Sequence, residues 1–466
     1  MISLLPDQNE VRDQLRMALR RHQSVLTFAP TGFGKTVLAA ALMKSITDAG
    51  KKVIFGVHRD ALLRQTANTL DAFGLFYSYI AAGEHHNHHR LSQIASIPTL
   101  QNRLGQHPTD YLFIDEAHLS ASAGWRRTVD HYKAEGTKVI GLTGSPQRLD
   151  GKPLGAIWDT MVLGPSTAQL IEWGRLSRYR AFAPAGIDLT GVHTKYGDYV
   201  ASEIDDLMAG KAVLAGAVRH WRQYAAGKRT IAFAPSVARA EQLAAEFQAS
   251  GVNAISLDGG TSKGDRQRAF GKFADREIEV MVNVRLFTEG FDLAAQVGRD
   301  VMIEAVLDYA PTQSLALHLQ KYGRGLRKDS EPHILLDLVG GFGRLGLPDD
   351  PREWSLEGET KTKKAAADEA VRICSYCFAA YTPTPICPSC GRVHVVQGRK
   401  VEEVEGELVE IDPDEMRRNR VTEQAKAGSL DDLVRLATAR GYKSPAKWAA
   451  HVWTARAAKS KERMSA

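Results

Sequence analysis

A chain of 466 residues is too long for one hydrophobic core and implies roughly two or three domains. Its composition, 44% hydrophobic and 24% charged, excludes a disordered or fibrous polymer, and no apolar run approaches the roughly 18 residues that a membrane-spanning helix needs. A net charge of +6 permits a polyanionic partner without requiring one. The N-terminus, MISLLPDQNEVRDQ, turns polar and acidic too early for a secretory signal, so a cytoplasmic protein is expected.

Val11, Leu15, Ala18 and Leu19 recur at helical spacing and predict a helix within residues 2–22. Ser24 to Phe28 reads as a buried strand. Ala29 to Thr36 (APTGFGKT) follows, and then Val37 to Thr47, rich in Ala and Leu at helical spacing. A strand, a Gly-bearing loop and a helix start make a phosphate cradle, because backbone N–H groups and the helix dipole converge on an anion. Pro30, Thr31, Gly32, Phe33 and Gly34 form the loop. Lys35 is placed to reach the β- and γ-phosphates of a nucleotide, and the Thr36 hydroxyl to ligate Mg²⁺. The strict pattern G-x-x-x-x-G-K-[ST] is broken only at its first position, where Ala29 stands.

Strands and helices then alternate, with strands predicted at Lys52 to Val57, Gln93 to Ser96, Tyr111 to Ile114 and Lys138 to Leu142. The last two end in Asp115-Glu116-Ala117-His118 and Thr143-Gly144-Ser145. Such alternation implies a parallel sheet with ligands at the carboxyl ends of its strands, so all three stretches share one edge. There Asp115 suits holding Mg²⁺ through a bound water, and Glu116 suits orienting or deprotonating an attacking water. After a pause at Ala183 to Gly186 the alternation restarts without a second Gly-Lys-Thr loop.

Read as a whole, the order of motifs resembles the superfamily 2 helicases and translocases of the DEAD/DEAH-box type, from Gln8 to about Gly340. The resemblance implies two RecA-like lobes with ATP and Mg²⁺ between them. Gln8 resembles the adenine-reading glutamine of the Q motif. His58 to Thr66 (HRDALLRQT) resembles motif Ia, implying backbone contacts to nucleic acid from His58, Arg59 and Gln65, and Ile97 to Leu100 resembles the next such motif, with Thr99 as donor. Thr143-Gly144-Ser145 stands where the family has Ser/Thr-Ala-Thr, and together with His118 is implied to couple hydrolysis to strand movement. Phe287 to Asp292 (FTEGFD) resembles motif V, implying a nucleic-acid contact from Thr288 and nucleotide contacts from Gly290 and Asp292. Gln320 to Arg327 (QKYGRGLR) matches Q-x-x-G-R-x-x-R, implying a catalytic Gln320 with Arg324 and Arg327 as arginine fingers. Because few residues precede Gln8, the match is expected to fall in the DNA-directed branch, similar to phage and prophage helicases and restriction motor subunits.

Beyond these motifs, Cys374-x-x-Cys377 and Cys387-x-x-Cys390 form two thiolate pairs suited to one tetrahedral Zn²⁺, either a purely structural staple or a nucleic-acid-gripping ribbon. His85 to His89 (HHNHH) reads as an exposed loop. Residues 401–416 hold eight acidic side chains and no basic ones, and are expected to be exposed or disordered. Residues 443–466 are basic, with Trp448 and Trp453 expected to pack a small helical core. The expected architecture is therefore α/β: a first RecA-like lobe at 1–183, a second at 184–345, a linker at 346–371, a zinc ribbon at 372–393, an acidic linker at 394–428 and a basic helical segment at 429–466. The expected activity is an ATP-driven nucleic-acid motor, with DNA favoured over RNA and replication, repair or restriction proteins as partners. The alternatives are an ATP-dependent DNA-binding switch or loading module, and the motor subunit of a restriction system whose nuclease is a separate chain.

Overall fold

A computed structural model describes residues 3–58, 60–146, 153–183, 189, 192–195, 198–208, 211–287, 293–357, 372–373, 380–381, 409–411, 422, 424, 426–439, 444–450 and 452–453. Two α/β lobes account for most of them, each built on a seven-stranded sheet. Lobe 1 runs α1 (Pro6–Arg21), β1 (Ser24–Phe28), α2 (Lys35–Asp48), β2 (Val53–Val57), α3 (Asp60–Ala72), β3 (Tyr77–Ile80), β4 (Ser92–Ser96), α4 (Ile97–Asn102), β5 (Tyr111–Ile114), α5 (Ala123–Ala134), β6 (Lys138–Thr143), β7 (Thr160–Leu163) and α6 (Thr167–Glu172). Its strand order is β3-β4-β2-β5-β6-β1-β7, with every pair parallel. Strand β1 lies between β6 and β7 and is buried along its whole length, as a parallel strand covered on both faces must be. The carboxyl ends of β1, β5 and β6 therefore share one edge, where the phosphate loop, Asp115-Glu116 and Thr143-Gly144-Ser145 emerge.

Lobe 2 runs β8 (Tyr179–Ala183), β9 (Thr194–Lys195), β10 (Asp198–Tyr199), α7 (Ala201–Leu207), α8 (Lys211–Ala225), β11 (Thr230–Phe233), α9 (Val237–Ala249), β12 (Ala254–Leu257), α10 (Lys263–Ala274), β13 (Val280–Asn283), α11 (Leu293–Val297), β14 (Ala305–Asp308), α12 (Leu315–Gly323), β15 (His333–Asp337) and α13 (Gly341–Leu345). Farther on lie β16 (Arg372–Ile373), β17 (Ala380–Tyr381), β18 (Val409–Ile411) and α14 (Leu430–Ala439). The second sheet has the order β12-β13-β11-β14-β15-β8-β18. A buried ion pair stitches α12 to β14: Lys321 Nζ donates to Asp308 Oδ1 at 2.9 Å and Oδ2 at 3.1 Å, with the two side chains 3% and 1% exposed. Such a pair fixes one arrangement, because the helix cannot slide without leaving a buried charge uncompensated.

Three expectations are corrected here. The strand Tyr179–Ala183, assigned to the first lobe, pairs in parallel with β15 and belongs to the second sheet. Val409–Ile411, inside the acidic stretch expected to be exposed or disordered, pairs antiparallel with β8. The outer edge of β8 presents unpaired backbone groups, and an extended segment satisfies them whatever its side-chain charge. The stretch expected as a linker from 346 starts as packed chain. Trp354 meets Phe28 of lobe 1 with ring centroids 4.9 Å apart, and Leu356 O accepts from Gly155 N at 2.9 Å.

At the C-terminal end, Ser429 Oγ caps α14 by accepting from Asp432 N at 3.1 Å, and Trp448 packs against a small cluster of Ala427, Leu433, Ala449 and Val452. Trp453 is 41% exposed. Among the described residues no helix is long and apolar enough to cross a membrane. The four cysteines, Arg59, and Thr288, Gly290 and Asp292 of the motif V stretch lie outside the described residues.

Candidate nucleotide site between the lobes

The phosphate loop takes the shape its glycines permit. Gly32 and Gly34 both have φ of +89°, a left-handed conformation that disfavours any side chain. Gly34 is also the residue preceding α2, whose start carries no side-chain cap, so the first N–H groups of α2 are left to an external anion. Lys35 folds back over the loop, with Nζ donating to Ala29 O at 2.9 Å and Pro30 O at 3.3 Å. Burial lowers the Lys35 pKa; Glu116 and Asp115 act against this, and Arg324 of lobe 2 reinforces it.

Asp115 and Glu116 stand beside Lys35 at the end of β5. The Asp115 carboxyl is pushed up to about 6, first by burial and then by the neighbouring Glu116. Asp115 Oδ1 accepts from Glu116 N at 3.0 Å. Glu116 is 9% exposed and has φ of +48°, a left-handed backbone uncommon for a residue with a side chain. Strain of this kind persists where the surroundings over-determine the geometry, as at reactive sites. The half-buried Asp115, the buried Glu116 and the Thr36 hydroxyl are hard oxygen donors of the kind Mg²⁺ takes, and a divalent cation held there would offset their charge.

From Glu116 a polar chain runs to β6. His118 Nδ1 lies 3.5 Å from Glu116 Oε2 and 3.1 Å from Thr143 Oγ1. Thr143 Oγ1 donates to Ser145 O at 2.7 Å and accepts from Ser145 N at 3.1 Å. Ala29 N donates to Thr143 O at 3.0 Å, tying the phosphate loop to the same stretch. The proposed coupling residues His118, Thr143 and Ser145 are thus one connected set.

At the other end of the loop, the buried Gln8 donates from Nε2 to Phe33 O at 2.7 Å, while its Oε1 accepts from Leu5 N at 3.0 Å. Sequence reasoning missed its companion. Arg175 donates to the same Phe33 carbonyl at 2.7 Å, pairs with Asp7, and lies 5.8 Å over the Phe33 ring. A lone arginine in the turn after α6 carries no motif that could have flagged it.

Lobe 2 presents α12 to this edge. Gln320 and Gly323 line a cleft with Pro30, Thr31 and Gly144, and a Cβ at Gly323 would lie 3.1 Å from Thr31 Oγ1. Arg324 follows at the C-cap of α12, close enough for its charge to act on Lys35. The Arg327 carbonyl is held by Ser177. His58, half-buried past the end of β2, has its ring centroid 6.4 Å from that of Trp125 and acts electrostatically on Asp115. Gln65 on α3 and Thr99 in the first turn of α4 are also half-buried.

Residues 1–148 match the family model of the Type III restriction enzyme res subunit, and residues 214–329 match that of the helicase conserved C-terminal domain. The two domain matches in tandem, with the helicase relatives, support an ATP-dependent superfamily 2 helicase or translocase. A "51.5 kDa protein" of a Lactococcus phage is 27% identical over 88% of each chain. The "Putative ATP-dependent helicase IRC3" of Saccharomyces cerevisiae is 27% identical over 73% of this chain and 54% of its own length. Among solved structures, the DNA-bound ATP-dependent Type ISP restriction-modification enzyme LlaBIII superposes with a TM-score of 0.54 at 13% identity, covering 73% of this chain and 28% of its own. That likeness shows the two-lobe fold. The chain spans about half of the yeast relative and under a third of the restriction enzyme.

Proposed function

We propose that the chain is a DNA-directed motor in which ATP is held by lobe 1 and hydrolysed only when lobe 2 closes on it. The observation that carries this reading is the approach of the two lobes at the phosphate loop: Thr31 against Gly323, and Arg324 within electrostatic reach of Lys35. Gln8 and Arg175 hold the base end of the loop. Lys35 neutralises the terminal phosphates, and Thr36 and Asp115 hold Mg²⁺, which supplies charge compensation at the phosphates. Glu116 orients the attacking water and takes its proton. Arg324 and Arg327 offset the negative charge that builds up in the transition state, and Gln320 faces the same cleft. His58, Arg59, Gln65, Thr99 and Thr288 carry the nucleic-acid backbone, and Gly290 and Asp292 complete the nucleotide side from lobe 2. The net charge of +6 and the match to a restriction res-subunit model favour DNA.

ATPase rates measured in parallel with single-stranded DNA, duplex DNA and RNA test the substrate. DNA is expected to stimulate more than RNA; stimulation by RNA alone would overturn the assignment. A forked duplex separates the motor from a switch, because a switch turns over ATP without displacing a strand. The match of lobe 1 to a restriction subunit also favours a second reading, a motor that works beside a separate nuclease; co-purification of a nuclease or methylase would support it.

For the C-terminal segment, the reading is one Zn²⁺ on Cys374, Cys377, Cys387 and Cys390. Strands β16 and β17 pair antiparallel on either side of the stretch that carries Cys374 and Cys377, which is compatible with a thiolate knuckle there. Metal analysis of freshly reduced protein should give about one zinc per chain; a zinc-free protein contradicts the assignment.

A further inference from the structure

The chain passes from lobe 1 to lobe 2 through residues 175–177, and each of the three touches a part of the nucleotide site. Arg175 donates to Phe33 O of the phosphate loop at 2.7 Å and pairs with Asp7. The Leu176 side chain fills the space over Gly32, where a Cβ would come within 2.3 Å of Leu176 Cδ2. The Leu176 backbone forms an antiparallel bridge with Arg327. Ser177 is 3% exposed. Its N–H donates to Leu326 O at 3.0 Å, its hydroxyl donates to Arg327 O at 2.6 Å, and the same oxygen accepts from Asp329 N at 2.6 Å. Two residues of this three-residue stretch therefore grip the phosphate loop, and two grip the segment immediately after Arg324, with Leu176 doing both.

We propose that residues 175–177 couple the phosphate loop to the arginine segment, and that Ser177 is a positioning residue which sets Arg324 and Arg327 according to the state of the loop. The proposal rests on the ATPase reading above. Movement of Phe33 O or Gly32 on nucleotide entry pulls on Arg175 and Leu176. Three consecutive residues span at most about 10 Å and are tied at both ends, so the displacement passes to Leu326, Arg327 and Asp329. A joint lacking these ties would let the lobes close without bringing the guanidiniums into register. Their loss should therefore appear in turnover rather than in nucleotide affinity.

The test is steady-state ATPase of the full chain under saturating nucleic acid. Ser177→Ala removes the hydroxyl that makes two of the ties. It should lower kcat about tenfold, the scale of one lost buried hydrogen-bonding group, and leave the KM for ATP unchanged. Ser177→Thr, which keeps the hydroxyl, should restore most of the rate. Arg175→Lys, which keeps the charge toward Asp7 but loses the planar fork, tests the other end and should lower kcat as well. Wild-type kcat in both Ser177→Ala and Arg175→Lys overturns the coupling. So does a rise in KM alone, or equal loss in Ser177→Ala and Ser177→Thr with a lowered melting temperature, which marks a packing role. A wild-type enzyme that nucleic acid does not stimulate defeats the motor reading instead, and the two failures are distinct.

Discussion

The two lobes build nearly the same sheet, but α2 of lobe 1 starts unlike α9, α10 and α12 of lobe 2. In lobe 2, α9, α10 and α12 each begin on a serine, and Ser236, Ser262 and Ser314 accept from Arg239 N, Asp265 N and Leu317 N. The free N–H groups at these ends are satisfied from within. In lobe 1, α2 begins at Gly34 with no side-chain cap. The same contrast holds for charge. Lobe 2 buries a neutralised pair, Lys321 and Asp308, whereas lobe 1 gathers Asp115, Glu116 and Lys35 with the Asp115 pKa raised. The starts of α9, α10 and α12 are satisfied within lobe 2; the lobe 1 edge at α2 and β5 is a set of demands that a nucleotide and Mg²⁺ would meet. Unsatisfied groups at one strand edge thus locate the site better than the fold does.

Substitutions on the two sides should therefore fail in different ways. Glu116→Gln keeps the shape and removes the base; turnover should fall by about 10² to 10⁴ while ATP and nucleic-acid binding persist, and a wild-type rate would show that Glu116 is not the base. Lys321→Met leaves Asp308 buried without its partner and should cost about 3–5 kcal/mol of lobe 2 stability in a denaturant melt; an unchanged midpoint would mean that the pair is dispensable. Asp115→Asn should instead stabilise the nucleotide-free protein at pH 7, by up to about 3 kcal/mol, while abolishing function. The sign follows from the raised pKa: Asp115 goes from 3.8 in the unfolded chain to about 6 when folded. Its charged form therefore penalises the native state at pH 7. The advantage of Asn should shrink as the pH falls through 6 and vanish below about 4, which a pH series of thermal melts of both proteins reads directly. The smallest effect is expected for Ser236→Ala, about 1 kcal/mol of stability with no change in the KM for ATP; a KM effect there would blur the contrast between the lobes.

What was legible in the sequence was whatever is contiguous. The loop from Ala29 to Thr36, Asp115-Glu116 and Gln320 to Arg327 each carry their geometry in a local string, because each hangs on one strand end or one helix. Arg175, Leu176 and Ser177 have no such string. Their partners lie at Phe33, Gly32 and Arg327, brought near only when both sheets are folded. The edge strands β3 and β7 have only 4 residues each, and β18 sits in an acidic run that composition alone reads as solvated. Tyr179–Ala183 lies at the expected lobe boundary, and only its pairing with β15 decides which sheet it joins.

The central claim is that hydrolysis needs both lobes. Steady-state ATPase of the wild type and of Arg324→Ala, each with and without nucleic acid, tests it most directly. A low basal rate that rises strongly with nucleic acid in the wild type is expected, as a population shift toward the closed state gives. In Arg324→Ala the stimulated rate should fall by about 10³ or more, with ATP binding to lobe 1 retained and no rescue by Arg324→Lys. Equal basal and stimulated rates in the wild type, or a fully active Arg324→Ala protein, would contradict the account.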